Sequence, residues 1–233
     1  MKTADVIIVG SGASGLFNAL FLPQDYKVIV ITKKEVEESD SFLAQGGISA
    51  LKNPEDYDSY FEDTMKAGHY ENDKGAVEKM IKESPQIIQD LKDFGVRFDL
   101  KDGEIEFTRE GGHSTFRILH HEDLTGKEIT SHLYEEAKKR DNITIMENCT
   151  MIDIIEKDGE CKGIVYKDAD GNLDTIEAPD TVLATGGLGG LFKHSTNFRH
   201  LTADSLAICL RHNVELENIN YCLLYTSPSP RDA

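Results

Sequence analysis

Val6-Ile-Ile-Val-Gly-Ser-Gly-Ala-Ser-Gly15 is the stretch that decides how this chain folds. Four β-branched residues in a row, with no polar residue alternating between them, mark a strand buried on both faces. Gly10 permits the tight turn that follows, Gly12 lets a pyrophosphate approach the backbone, and Gly15 lets the next helix pack against the strand. Residues 16–20 suit that helix, and Val28-Ile-Val-Ile31 is a second buried strand. Strand, glycine turn, helix and strand make a βαβ unit, whose helix N-terminus offers N–H groups and a partial positive charge to phosphates. In this context the glycine pattern points to a bound dinucleotide, without separating FAD from NAD. Where an acid commonly receives the ribose hydroxyls, the chain reads Thr32-Lys-Lys-Glu35. Either Glu35 serves from the loop, or the ribose is held in another way.

Downstream, Val77, Met80, Ile81, Ile87, Ile88, Leu91 and Phe94 recur at helical spacing, with Gly95 placed as a C-terminal cap and Pro85 expected to kink or divide the helix. Residues 125–140 read as a second amphipathic helix with Ile129, Leu133 and Ala137 on one face. Strand-like stretches at 143–146, 151–155 and 163–166 precede an Asp168-Ala-Asp-Gly171 turn, and 173–177 completes an antiparallel meander. Thr181-Val-Leu-Ala-Thr-Gly-Gly187 is a strand that stops at a glycine pair. The expected fold class is therefore α/β: a Rossmann-like dinucleotide-binding domain with a parallel sheet, plus the antiparallel meander.

Composition bounds the function. The 233 residues hold 42 Asp and Glu against 25 Lys and Arg, a formal net charge of −17, which argues against binding to nucleic acid or to anionic lipid. Apolar residues make up 39 %, enough for a substantial core, yet no run approaches the roughly 20 residues that span a bilayer. The four cysteines, Cys149, Cys161, Cys209 and Cys222, form no C-x-x-C pair, so neither a metal site nor a disulfide framework is expected, and the setting reads as the reducing cytoplasm.

Two further stretches carry chemistry. Asp40-Ser-Phe-Leu-Ala-Gln-Gly-Gly47 could be a plain turn into the helix near Tyr57. Arg109, His113, Arg117, His120 and His121 make a basic cluster in an acidic protein, suited to a dicarboxylate. The alternative, for any one member, is pairing with a nearby acid.

Taken together, S-x-x-A-Q-G-G-I after a nucleotide turn, Thr108-Arg-Glu-Gly-Gly-His-Ser114, Arg117-Ile-Leu-His120, Asp123-x-Thr-Gly126 and Val182-Leu-Ala-Thr-Gly-Gly187 resemble the flavoprotein superfamily of succinate dehydrogenase, fumarate reductase and L-aspartate oxidase, most closely its aspartate oxidase branch. The resemblance runs from about Ala4 to Tyr221 and implies FAD. Ser11, Gly12, Ala13 and Ser14, with Gly10 and Gly15 shaping the turn, are implied at the phosphates, and Lys33 after the second strand. Asp40, Ser41, Phe42, Leu43, Ala44, Gln45, Gly46 and Gly47 are implied along the flavin, Thr150 and Met151 on the adenosine side, and Asp204 as a further contact. Asp40 stands where respiratory members carry the histidine that bonds FAD covalently, so the implied attachment is noncovalent. Glu110 stands where aspartate oxidases recognise the substrate's ammonium; a carboxylate there repels succinate and fumarate but pairs with aspartate. Glu110 and His113 are the implied catalytic residues. The implied reaction is oxidation of L-aspartate to iminoaspartate, with O2 or fumarate as electron acceptor, feeding quinolinate and NAD synthesis with quinolinate synthase as a partner.

The same resemblance makes residues 1–221 the first segment of an FAD-binding domain, without the capping domain that carries the catalytic arginine and without the helical domain. Residues 222–233, ending Ser-Pro-Ser-Pro-Arg-Asp-Ala233, abandon the pattern and read as adapter read-through joined to a truncated gene, or as a disordered terminus. Such a fragment is expected to bind FAD weakly at most, to turn nothing over and to leave apolar surface uncovered. A soluble fumarate reductase with noncovalent FAD, and a non-catalytic flavin-binding module, are the other readings.

Overall fold

Residues 2–219 are described here from a computed structural model. The readings placed on residues 220–233, including Cys222 and the terminal prolines, lie outside the described residues. Six α-helices fall within them: α1 (Ala13–Phe21), α2 (Asp40–Leu43), α3 (Tyr57–Ala67), α4 (Lys74–Asp93), α5 (Thr125–Lys138) and α6 (Asp204–Arg211). The chain divides into two compact units, residues 1–40 with 137–233, and residues 41–136.

The first unit is built on the predicted βαβ unit. Strands Val6–Val9 and Val28–Ile31 are buried along their whole length and pair in parallel. Asp180–Leu183 adds to one side and Ile143–Met146 to the other, both in parallel, giving a four-stranded sheet. Ile7, Val9, Ile29 and Ile31 pack into one cluster with Met151, Ile164, Tyr166 and Ile176 of a second, antiparallel layer. That layer is the meander Thr150–Lys157, Glu160–Lys167 and Leu173–Glu177, with Lys2–Thr3 pairing in parallel on its edge. Apolar side chains on both faces of the parallel sheet are thus explained: one face takes the meander, and Gly15 of α1 lies against Ile8 on the other. The sequence order suggested that residues 143–146 open the meander. They belong instead to the parallel sheet, in register with Val28–Ile31.

In the second unit, α3 and α4 share a core of Tyr60, Met65, Val77 and Ile81. The α4 helix runs undivided through Pro85. Proline removes the N–H that would reach the carbonyl four residues back, and here the Ser84 hydroxyl donates to that carbonyl, on Ile81, at 2.7 Å. Ser84 Oγ in turn accepts from the Leu51 N–H at 2.8 Å. Gly95 follows in the left-handed region at φ 92°, the conformation a C-terminal glycine supplies. A short antiparallel sheet joins Ile48–Ser49, Ile118–Leu119 and Phe107–Thr108. No helix among the described residues is long and apolar enough to cross a membrane.

Candidate functional site

In the first unit the glycine turn forms a cradle. Gly10 sits at φ +114°, and a Cβ there would lie 2.1 Å from the Ala184 carbonyl oxygen. A Cβ on Gly15 would lie 2.0 Å from the Gly10 carbonyl oxygen, so neither position admits a side chain without moving backbone. Gly12 is the N-cap of α1 and brings no side chain to its N-terminus. Ser11 is 3 % exposed, and its hydroxyl is buried without a hydrogen-bond partner. A buried hydroxyl left unpaired costs free energy, and a phosphate lying over the helix N-terminus supplies the acceptor it lacks. These residues therefore fit the diphosphate of a dinucleotide. Ala13 continues the same turn into α1, and Ser14 is exposed on its first turn.

Lys33, after the second strand, donates to Asp204 Oδ2 at 2.6 Å, Thr202 Oγ1 at 2.8 Å and the His200 carbonyl at 2.9 Å. All three N–H bonds of its ammonium are engaged, and the pair Lys33–Asp204 ties the second strand's exit to the start of α6. Ala203, just before α6, adopts φ 58°, ψ 33°, the left-handed conformation in which glycine fits without strain. Thr150 opens the meander's first strand, and the Met151 side chain belongs to the core, 5 % exposed, so only its backbone can serve a ligand. The Asp40 carboxylate accepts from the Phe198 N–H at 3.0 Å and pairs with the Asn197 amide.

In the second unit the short sheet brings two of the motifs together. Pairing of Ile48 with Leu119 and of Leu119 with Phe107 sets Gln45, Gly46 and Gly47 beside Thr108 and Glu110. They line a cavity of about 380 Å³ whose wall also includes His120, Glu122 and Asp123. A Cβ on Gly46 would stand 3.3 Å from Glu110 Oε1, and one on Gly47 would stand 2.2 Å from Ile118 Cγ2. Glycine at 46 leaves room for the Glu110 carboxylate, and glycine at 47 lets the chain approach the Ile118–Leu119 strand. With three carboxyl groups around it, the cavity favours a cationic group over an anionic one. The other members of that motif, Ser41, Phe42 and Leu43, lie in α2, and Ala44 accepts through its carbonyl from the Gly126 N–H at 2.9 Å.

The basic cluster resolves into pairs. Arg117 has no exposed surface and is the largest fully buried side chain among the described residues. Its Nε donates to Asp56 Oδ2 at 2.9 Å and its Nη2 to Asp56 Oδ1 and Ser59 Oγ at 2.8 and 2.7 Å. Its Nη1 reaches Asp63 Oδ2 at 2.5 Å and His113 Nδ1 at 3.1 Å. All five guanidinium N–H bonds are accounted for, which leaves Arg117 none for a substrate. The guanidinium, through these hydrogen bonds, holds the Asp56 carboxyl down to about 2. His120 Nδ1 lies 3.2 Å from Asp99, His121 Nδ1 lies 3.3 Å from the same carboxylate but makes no hydrogen bond, and Arg109 lies over the Phe116 ring. For these residues the acid-pairing or packing alternative is the one the geometry takes. Asp56, Asp63 and Asp99 were not singled out from sequence. The spacing of Asp56, Ser59 and Asp63 along one face of α3 and its N-terminus was the available signal, since a buried arginine needs acids arranged in that way.

A parallel sheet whose first strand opens through a glycine cradle onto a helix N-terminus defines a dinucleotide-binding protein of the Rossmann kind. More closely, the chain belongs to the FAD binding domain family, matched over residues 5–230. It is 42 % identical to the L-aspartate oxidase of Clostridium perfringens over 224 residues, covering 96 % of this chain and 51 % of that protein. To the L-aspartate oxidase of Clostridium acetobutylicum it is 45 % identical over 218 residues, covering 93 % and 50 %. Among solved structures it resembles FrdA of the E. coli quinol fumarate reductase (TM-score 0.86, 28 % identity, 91 % of this chain and 38 % of that one). Mycobacterium smegmatis Sdh1 is similar at TM-score 0.82 and 31 % identity, over 91 % and 39 %. The chain spans about half the length of the curated relatives it matches.

Proposed function

We propose that this chain is the FAD-binding part of a cytoplasmic enzyme that oxidises L-aspartate to iminoaspartate, the first step toward quinolinate and NAD, with quinolinate synthase consuming the product. The observation that carries the reading is Glu110, a carboxylate set against Gly46 in an acid-lined cavity, in a chain similar to L-aspartate oxidases along nearly its whole length. When bound, FAD supplies the acceptor for the hydride that leaves the substrate's Cα, and passes the electrons to O2 or fumarate.

Gly10, Ser11, Gly12, Ala13, Ser14 and Gly15 hold the diphosphate, and the Lys33–Asp204 pair and the backbone at Thr150 and Met151 serve the adenosine side. The 40–47 segment runs along the flavin. Asp40 has no ring nitrogen to bond the cofactor, so attachment is noncovalent. Glu110 receives the substrate's ammonium and orients Cα, while His113 sits on the same loop. In this reading residues 1–221 are the first segment of the FAD-binding domain, residues 222–233 lie outside it, and turnover belongs to the complete protein.

The test is Glu110→Gln in the complete protein. Removing a charged hydrogen-bond partner of the ammonium lowers kcat/KM for aspartate about ten- to a hundredfold while fumarate reduction changes little. Equal loss in both half-reactions would overturn the assignment of Glu110. Activity on fumarate or succinate alone would establish the fumarate reductase reading, which the likeness to FrdA favours.

A further inference from the structure

The 110–114 loop is held from one side only. Gly111 and Gly112 have open space around them, whereas the His113–Ser114 end is fastened to α3: Asp63 Oδ2 accepts from the Ser114 N–H at 2.7 Å and from its hydroxyl at 2.8 Å. The same Asp63 oxygen accepts from Arg117 Nη1, and the second Nη1 hydrogen is directed at His113 Nδ1, 3.1 Å away. Arginine is charged throughout the accessible pH range and can only donate. A nitrogen that meets such a donor must offer a lone pair. A proton on Nδ1 would set two donors face to face beside a positive charge.

We infer that Arg117 holds His113 as the neutral tautomer with its proton on Nε2, so that His113 meets substrate as an uncharged hydrogen-bond donor and not as a base. The inference rests on the proposed role of this loop. The groups around the ring agree with it. Asp56 and Asp63 are both engaged by Arg117, Ser59 and Thr115 hydrogen-bond Asp56, and Tyr60 lies tilted over the imidazole with centroids 6.3 Å apart. Neither carboxylate faces His113 Nδ1 in place of the guanidinium. Among the described residues no acceptor pairs with Nε2, which leaves that N–H for a ligand. A neutral imidazole N–H can stabilise negative charge on a substrate oxygen by hydrogen bonding without transferring its proton. Arg117 and Asp63 are positioning residues here, acting through His113.

Long-range 1H–15N correlation spectra of the 15N-labelled chain decide the tautomer, with His113 identified by the signals lost in His113→Gln. The expected result is a proton on Nε2 and a bare Nδ1 in the neutral ring. A proton on Nδ1 overturns the inference. In the complete protein, His113→Gln, which puts an amide nitrogen near the place of Nε2, should lose clearly less kcat/KM for aspartate than His113→Asn, which can replace only Nδ1 and lowers it about ten- to a hundredfold. Equal losses in the two variants overturn the donor role. If the complete protein does not oxidise aspartate, the proposed function fails, and the spectra still decide whether Arg117 sets the tautomer.

Discussion

Replacing Arg117 by methionine keeps much of the side chain's volume and removes its charge, and it tests the network that supports the Glu110–His113 loop. The side chain is fully buried, and its partners Asp56 and Asp63 have side chains only 8 % and 15 % exposed. Breaking a buried pair by removing one partner leaves an uncompensated charge and typically costs about 3–5 kcal/mol. The carboxyl itself gives a second estimate. Asp56 titrates at about 2 against an ordinary value of 3.8, chiefly because of the Arg117 hydrogen bonds, which corresponds to about 2 kcal/mol of stability at neutral pH. The larger figure adds Asp63, whose carboxyl is also held low despite its burial, and the loss of the Ser59 and His113 contacts.

The pH dependence separates charge from packing. In the parent chain the Asp56 contribution is fully present above about 3.8 and is lost as pH falls toward 2. In Arg117→Met the bare carboxylate binds a proton more readily folded than unfolded, so the variant loses stability as pH rises. The gap between the two proteins should therefore be small near pH 3 and reach its full size by about pH 7. Urea titrations read by tyrosine fluorescence and by hydrogen exchange of the α3 segment give that gap at each pH. The double variant Asp56→Asn/Arg117→Met should recover about 1–2 kcal/mol relative to Arg117→Met alone, because one unpaired charge is gone. A penalty that is constant across pH, or below about 1 kcal/mol at pH 7, would refute the ion-pair account and leave a cavity effect.

Two further outcomes follow from local backbone chemistry. Ser84→Ala leaves the Ile81 carbonyl and the Leu51 N–H without their partner and should cost about 1–3 kcal/mol in urea unfolding; the loss should shrink in a Pro85→Ala background, where a backbone N–H reaches Ile81 again, and an equal loss would show that the hydroxyl does not compensate the proline. Ala203→Gly relieves a left-handed alanine at φ 58° and should raise stability by about 1 kcal/mol, read as a higher thermal midpoint; a lower midpoint would mean that the chain entropy added to the unfolded state outweighs the relief.

What the sequence made legible was local. The Val6–Val9 strand, the glycine cradle and α1 follow from neighbours within a dozen residues, where burial on both faces and freedom of φ leave one reading. The four-residue strand Ile143–Met146 resembles its successors in composition, and only its pairing with Val28–Ile31, more than a hundred residues earlier, decides which sheet it joins. Pro85 reads as a helix breaker until the Ser84 hydroxyl, one residue before it, is seen to cap the freed carbonyl. Sequence spacing shows the residues in that arrangement but not the rotamer that makes it work.

The site divides along the same line. Glu110 and the two glycines of Gln45-Gly-Gly47 could be named from motifs, yet what unites them is the register of a sheet with two-residue strands, too short for any periodic signal. Arg117 shows the opposite failure. An arginine beside histidines in a chain of net charge −17 invites reading as an anion ligand, because net charge suggests that acids sit in solvent. Here two of those acids sit inside, and Arg117 is there to compensate them: a buried carboxylate needs a partner more than an exposed arginine needs a ligand. The consequence for function is indirect but specific. Arg117 acts on the tautomer of His113 and the anchoring of its loop, so its removal should move the spectra of His113 before it moves the affinity for any dicarboxylate.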